Sequence, residues 1–256
     1  MIIDAHAHVG SWREPGFASR TTSFDDAVAL YGALDFQGAL VMPTDTGDNA
    51  ALLASVKAHE GTPQFRFAYW IDPNAANNLA AFDACSSDVA ALKVHPSFLR
   101  RPITDADFEP FFERAVALGL PVVVHCGRWR EVAGFSLALD VAEHFPDLNI
   151  VLSHMGGDEP LLVRETVAAI QERALTNVFL GTESLRQYWV VQEALDALGS
   201  RRLVFGSDYN LNYPAAFLAV IRALDVDEVG RQRILGGNLN KLLPRAHRFE
   251  QGSVAS

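Results

Sequence analysis

The sequence predicts an α/β fold, a single-domain (β/α)8 TIM barrel, and three observations carry the prediction. Eight short apolar runs alternate with helix signals along 256 residues, a length at which such a barrel is commonly one domain. The runs end on residues that carry chemistry, among them His8, His95, His125, His154 and Asp208. Their spacing is near-regular: His95 to His125 spans 30 residues, His125 to His154 spans 29, and His154 to Asp208 spans 54, or two units of 27. A doubly wound open sheet is the competing topology. It calls for a Gly-rich phosphate turn after the first strand, and HAHVG at residues 6–10 is not one.

The elements follow in order. Residues 2–8 form the first strand, in which alternation puts His6 and His8 on one side, about 7 Å apart and able to converge on one metal ion. Residues 10–22, with Pro15 and Gly16, are too many for a tight turn and read as a working loop. Ser23 caps a helix with Asp25 and Asp26 in its first turn and Val28, Leu30, Tyr31 and Leu34 on its apolar side. The second strand is 37–42, stopped by Pro43, and residues 45–48 open a helix through Leu52, Leu53 and Val56. The third strand (65–71) and a helix (74–85) precede the fourth strand (89–95) and a helix from Thr104 to Leu118. Gly119 and Pro121 turn the chain into the fifth strand, ending at His125, and a helix follows from about 136 to 145. The sixth strand (148–154) leads to a helix through Leu161, Val163, Val167 and Ile170, and the seventh (177–181) to a helix over 184–198. The eighth strand (202–207) is followed by closing helices at 214–224, 226–235 and 238–243. The barrel is expected to end at residue 244, with 245–256 a polar, frayed tail. In such a barrel all strand ends meet on one face, so residues scattered over two hundred positions converge.

Composition narrows the function. A net charge of −10 argues against a nucleic-acid backbone as partner, since such binders carry a basic face. Two cysteines, Cys85 and Cys126, are too few for a disulfide framework and suggest a reducing compartment. Cys126 follows His125, so alternation turns it away from the metal side. The start MIIDAHAHVG does not read as a leader and no apolar run reaches bilayer length, so the expectation is a cytoplasmic protein with a small-molecule substrate and no membrane partner. A homodimer is compatible with the sequence.

Neutral imidazoles with a carboxylate suit zinc, and manganese or iron use the same ligands. The motifs DAHAHVG (4–10), KVHP (93–96), VVVHCG (122–127), LSHMGG (152–157), FGSDYN (205–210) and ILGGNLNKLL (234–243) occur in this order. With them the chain resembles the amidohydrolase superfamily over residues 2–243. Within it, the chain is similar to the amidohydrolase-2 branch that includes aminocarboxymuconate semialdehyde decarboxylase and related metal-dependent hydrolases. The resemblance implies one divalent metal, zinc first, held by His6, His8, His125 and Asp208. It makes His154 the residue that activates water or handles a proton, a role Asp208 can share. It makes Lys93 and His95 catalytic pocket residues that polarise or bind substrate. Two other readings of Lys93 stand beside this one: a carbamylated bridge between two metals, and an inward lysine paired to Asp4.

Arg128 and Arg130, just past His125, are candidates to grip a substrate carboxylate in two-point fashion. Trp70 and Phe98 are candidate substrate-binding walls, with Trp12, Tyr209 and Tyr213 also near strand ends. Glu183 either reaches the pocket or caps the next helix. The expected activity is a metal-dependent hydrolase in which metal-activated water attacks an ester, lactone or amide of a small, carboxylate-bearing substrate. Its rival is a non-oxidative decarboxylase with the same ligands, and a non-catalytic binding barrel has no use for an open metal beside a base.

Overall fold

The structure is a computed structural model that describes residues 1–250. Eight parallel strands pair in chain order: β1 (Ile3–Ser11), β2 (Gly38–Pro43), β3 (Gln64–Trp70), β4 (Ala91–Val94), β5 (Val122–Val124), β6 (Ile150–Leu152), β7 (Val178–Gly181) and β8 (Leu203–Val204). The sheet closes on itself. Ala5 N donates to Phe205 O at 2.9 Å, Asp208 N donates to His6 O at 2.9 Å, and Ala7 bridges Tyr209 in parallel. Closure excludes the doubly wound alternative, which needs two free edges.

The strands read as continuous apolar runs because both faces are buried. Leu40, Met42, Val123 and Val151 point into the barrel, whereas Ala39, Val41, Val122, Val124, Ile150 and Leu152 pack beneath the helices. Each strand is followed by a helix, and the first (Phe24–Ala33) starts as the sequence predicts. Ser23 accepts from Asp26 N, and Asp26 accepts in return from the Ser23 backbone, a capping box.

Several helices start later than the sequence suggests, among them the one expected from Thr104, which becomes α-helical at Glu109. Those expected at 74 and 184 begin at Asn78 and Tyr188, because Asn77 and Ser184 take the left-handed conformation at φ 64. The helix expected over 226–235 is cut to Glu228–Gln232, capped by Asp227, and passes into a wide turn at Arg233–Gly237. Beyond β1, the two-residue strand Thr21–Thr22 returns antiparallel to Gly10 and Ser11 and folds residues 12–20 over the barrel mouth.

The segment from Arg245, expected to fray, is anchored as far as Glu250. Phe249 is buried with Leu239, Leu242 and Leu243 against the barrel floor, over the bare face of Gly38, and its backbone pairs with the Asn240 side chain. One apolar residue in a polar stretch gives too little pattern to reveal this. Residues 251–256 lie outside the described residues. Phe249→Ala is expected to lower unfolding stability by about 3 kcal/mol, read from urea midpoints. An unchanged midpoint would show that the floor holds without it.

Candidate metal centre

The first strand, the end of β8 and the loops after β4 to β7 build the site at the C-terminal face of the barrel. His6, His8 and Asp208 present ligand atoms that all lie within 4.8 Å of one another. His6 Nε2 is 3.1 Å from His8 Nε2, and Asp208 Oδ1 lies 3.6 Å and 3.7 Å from the two nitrogens.

The other ring nitrogens fix the tautomers. His6 Nδ1 donates to Glu183 Oε1 at 2.8 Å, and His8 Nδ1 donates to the carbonyl of Pro43 at 2.7 Å. Each Nε2 is therefore bare and faces the centre, the outer-sphere arrangement that orients metal-binding imidazoles. Two such lone pairs and a carboxylate oxygen this close favour positive charge beside them, and Lys93 Nζ, 3.2 Å from His6 Nε2, supplies part of it from the chain itself. The donor set, two imidazoles and one carboxylate, is one that takes zinc, manganese or iron. The chemistry of these residues fits a divalent metal.

Burial sets the charge state. It pushes His8 down to about 4 and drives His6, His95 and His125 well below the ordinary histidine value, with Lys93 adding to the effect in each. All four imidazoles are thus neutral at pH 7, and in His6 and His8 the lone pair is the one on Nε2 that faces the centre. Burial would raise the Asp208 carboxyl, but His6, His154 and His8 outweigh it and hold it below its usual value.

Of the four expected ligands, His125 stands apart from this trio. Its Nδ1 meets His154 Nε2 at 3.1 Å, and its ring stacks on His95 at 3.7 Å. Lys93, fully buried, does not pair with Asp4. Its Nζ lies 3.2 Å from His6 Nε2, and burial lowers its pKa to about 8. His95 lines the cavity with Phe98 stacked behind it at 3.9 Å, and its Nδ1 accepts from Phe98 N. Trp70 and Phe98 back His95 from outside the cavity rather than forming its wall.

Neither arginine is free. Arg128 lines the mouth but forks onto Asp158 at 3.1 and 2.9 Å and also meets Glu159, while Arg130 lies off the cavity and pairs with Glu165. Cys126 does reach the cavity wall, contrary to simple alternation, because β5 ends at Val124. Burial raises its thiol to about 12, so it stays protonated.

Several contributors escape sequence reasoning. Phe17, Ser184, Asp158 and Leu211 line the cavity of about 370 Å³ together with Trp12, whose indole N–H donates to Asn210 Oδ1 at 2.7 Å. Glu183 proves to be the partner of His6. Room for its buried carboxylate comes from Gly181 and Gly206, where a Cβ would approach Glu183 Oε2 to 2.4 and 2.8 Å. Strand-end glycines flanking an acid are the only sequence trace of it. His154, Ser184 and Asp208 all take left-handed backbone at φ 57, 64 and 64, the kind of local strain that gathers at functional sites.

The sequence profile of the amidohydrolase family matches residues 3–245, nearly the whole chain. The chain belongs to the amidohydrolase family. This amidohydrolase is similar in structure to 5-carboxyvanillate decarboxylase LigW from Sphingomonas paucimobilis, at TM-score 0.72 and 15% identity, covering 94% of this chain and 98% of that one. It is also similar to a dihydroxybenzoic acid decarboxylase from Polaromonas sp. JS666 with bound manganese and 2-nitroresorcinol, at TM-score 0.71 and 16% identity, over 94% and 96% of the two chains. An amidohydrolase from Burkholderia multivorans with bound HEPES gives TM-score 0.75 at 18% identity, over 95% and 100%. These likenesses establish the TIM-barrel fold. No curated protein matches the chain by sequence.

Glu183→Gln is expected to weaken metal binding by about 10- to 100-fold, the usual range for a lost outer-sphere carboxylate. Isothermal titration with zinc checks it. Wild-type affinity in the variant would show that His6 needs no carboxylate to hold its tautomer.

Proposed function

We propose that the protein is a metal-dependent hydrolase of small, uncharged esters, lactones or amides. The observation that carries the reading is the convergence of bare His6 Nε2, His8 Nε2 and Asp208 Oδ1 in a cavity open to solvent, with His154 and His95 in its wall. A divalent metal, zinc first and manganese or iron next, would supply Lewis acidity and a water acidic enough to ionise near neutral pH.

The protein's own groups do the rest. His154 Nδ1 donates to the Glu183 carbonyl at 3.3 Å, which leaves Nε2 to take a proton from water and return it to the leaving group, in hydrogen-bond exchange with His125. His95 accepts at Nδ1 from Phe98 N, so its proton sits on Nε2 and is available to a carbonyl oxygen as negative charge develops. Trp12, Phe17 and Leu211 offer an apolar wall to the body of the substrate.

The sequence suggested a substrate carboxylate gripped by Arg128 or Arg130. The occupied fork of Arg128 and the remote position of Arg130 speak for a neutral substrate instead. A second reading, a non-oxidative decarboxylase, draws support from likeness to the Sphingomonas and Polaromonas decarboxylases, whose substrates are carboxylated.

The test offers metal-loaded protein a panel of neutral lactones and esters, their carboxylated analogues, and hydroxybenzoic acids. Acid release is followed with a pH indicator and carbon dioxide is measured separately. Acid release that favours the neutral compounds supports the hydrolase. Carbon dioxide from the aromatic acids, without acid release from any ester or lactone, replaces it with the second reading.

A further inference from the structure

The first strand changes phase in its middle. Ile3 and Ala5 pack into the barrel interior, whereas Ala7 and Val9 pack in the layer beneath the helices. In an unbroken strand these four residues would share one face. The register against β2 shows where the change occurs: Asp4 pairs with Ala39 and Ala7 with Val41, so three steps on β1 match two on its neighbour. One residue is extra, a β-bulge at Ala5 and His6. A slip of one residue turns every later side chain to the opposite face. Without the bulge, His6 and His8 would follow Asp4 to the outside of the barrel and the ligand trio would not exist.

A bulge leaves backbone groups without ladder partners, and Asp4 takes them up. His6 N donates to Asp4 Oδ1 at 3.0 Å, and Ser207 N donates to the same oxygen at 2.9 Å. Asp4 Oδ2 accepts from Tyr31 Oη at 2.7 Å and from Ser207 Oγ. Ser207 directly precedes Asp208, and Tyr31 belongs to the first helix. One fully buried carboxylate thus ties the bulge beside His6 to the residue beside Asp208 and pins both to the outer layer. Asp4 lines no part of the cavity and touches none of the three ligand side chains, so it acts through the backbone.

We propose that Asp4 is a positioning residue for the metal centre: its four hydrogen bonds hold the β1 bulge against the end of β8, which aims His6, His8 and Asp208 at one point. The inference rests on reading that trio as a metal site. It distinguishes Asp4 from an ordinary buried acid, whose loss would lower stability and leave ligand geometry alone.

Cobalt(II) titration of the full-length protein tests it, followed by calorimetry and by visible d–d absorption at saturation, which reports ligand geometry. Asp4→Ala is expected to bind cobalt about 10- to 100-fold more weakly, with a changed spectrum. Asp4→Asn is the rescue. Its oxygen serves the two N–H groups, and its amide turns to the two hydroxyls, which accept as well as donate. Binding and spectrum close to wild type are expected. Wild-type affinity and spectrum in Asp4→Ala overturn the proposal. If Asp4→Ala does not fold, Ser207→Ala is read in its place, because it removes the hydroxyl, with its bonds to Asp4 and from Tyr209 N, and keeps the two N–H groups that Asp4 accepts from His6 and Ser207: weaker binding supports the proposal and unchanged binding overturns it. Failure of the wild type to take up cobalt overturns the metal reading and this inference with it, a result distinct from variants that bind as the wild type does.

Discussion

Asp208→Asn purifies without its metal and without turnover. The amide keeps the size of the carboxylate and its contact with Ser184 Oγ, seen at 3.0 Å, so the fold is expected to survive. What disappears is the carboxylate's negative charge, which burial disfavours but which His6, His154 and His8 together favour enough to hold the carboxyl below its usual value. A neutral oxygen 3.6 and 3.7 Å from two nitrogens leaves the trio with no anion to offset a divalent cation. Loss of an outer-sphere partner weakens metal binding by about 10- to 100-fold, so loss of the only anionic member of the trio should reach at least the upper end. Turnover at saturating metal should fall by on the order of 10³-fold, comparable to removing one preorganised electrostatic group. Metal per chain is measured by elemental mass spectrometry on protein prepared without chelator, with circular dichroism to confirm the fold. A folded variant that keeps a full metal complement and normal turnover would remove Asp208 from the centre.

That centre was partly legible because its chemistry is carried by residue type at strand ends. His154 and Asp208 announce themselves by near-regular spacing with His95 and His125, and His6 and His8 by alternation on one strand, and the β/α repeat then dictates that they meet. What stayed hidden depends on partners distant in sequence or on backbone phase. The pairing of Arg128 with Asp158 joins the loops after β5 and β6, so the same arginine reads in sequence as a free anion grip. Glu183 at a strand end reads equally as a pocket residue or a helix cap, and only the space that Gly181 and Gly206 leave for it decides between them. The bulge is the deepest case. Residues 3, 5, 7 and 9 are all apolar, so the string itself reads as one uninterrupted face, and only Asp4 and its distant partners Tyr31 and Ser207 mark the break.

Metal-free protein should lose stability as pH falls from 6.5 to 4, through the same histidines. His8 titrates near 4 in the folded state against 6.5 for an ordinary histidine, because burial and then Lys93 disfavour its charged form. A depressed folded pKa means that between these values the unfolded chain binds more protons than the folded one, so acid favours unfolding. For His8 alone the difference is ~3 kcal/mol, fully present as stability above pH 6.5 and lost by pH 4. His6, His95 and His125 are shifted in the same direction by burial and push the same way. Asp4 opposes them. Burial raises it from 3.8 to about 6, so the folded state binds the extra proton there and gains ~3 kcal/mol as pH falls through that range. Lys93, lowered to about 8, has already given up its contribution between pH 10.5 and 8 and adds nothing to this window. Four histidines against one aspartate leave a net loss. Urea midpoints taken in the presence of chelator should therefore drop between pH 7 and pH 4.5, and His8→Asn should flatten the dependence by up to ~1.4 kcal/mol per pH unit. Added zinc should raise the midpoint at pH 7 far more than at pH 4.5, since protons and metal compete for the same nitrogens. A midpoint that stays flat without metal would mean that these imidazoles are not held neutral by burial, and the lone pairs assigned to the metal would lose their physical basis.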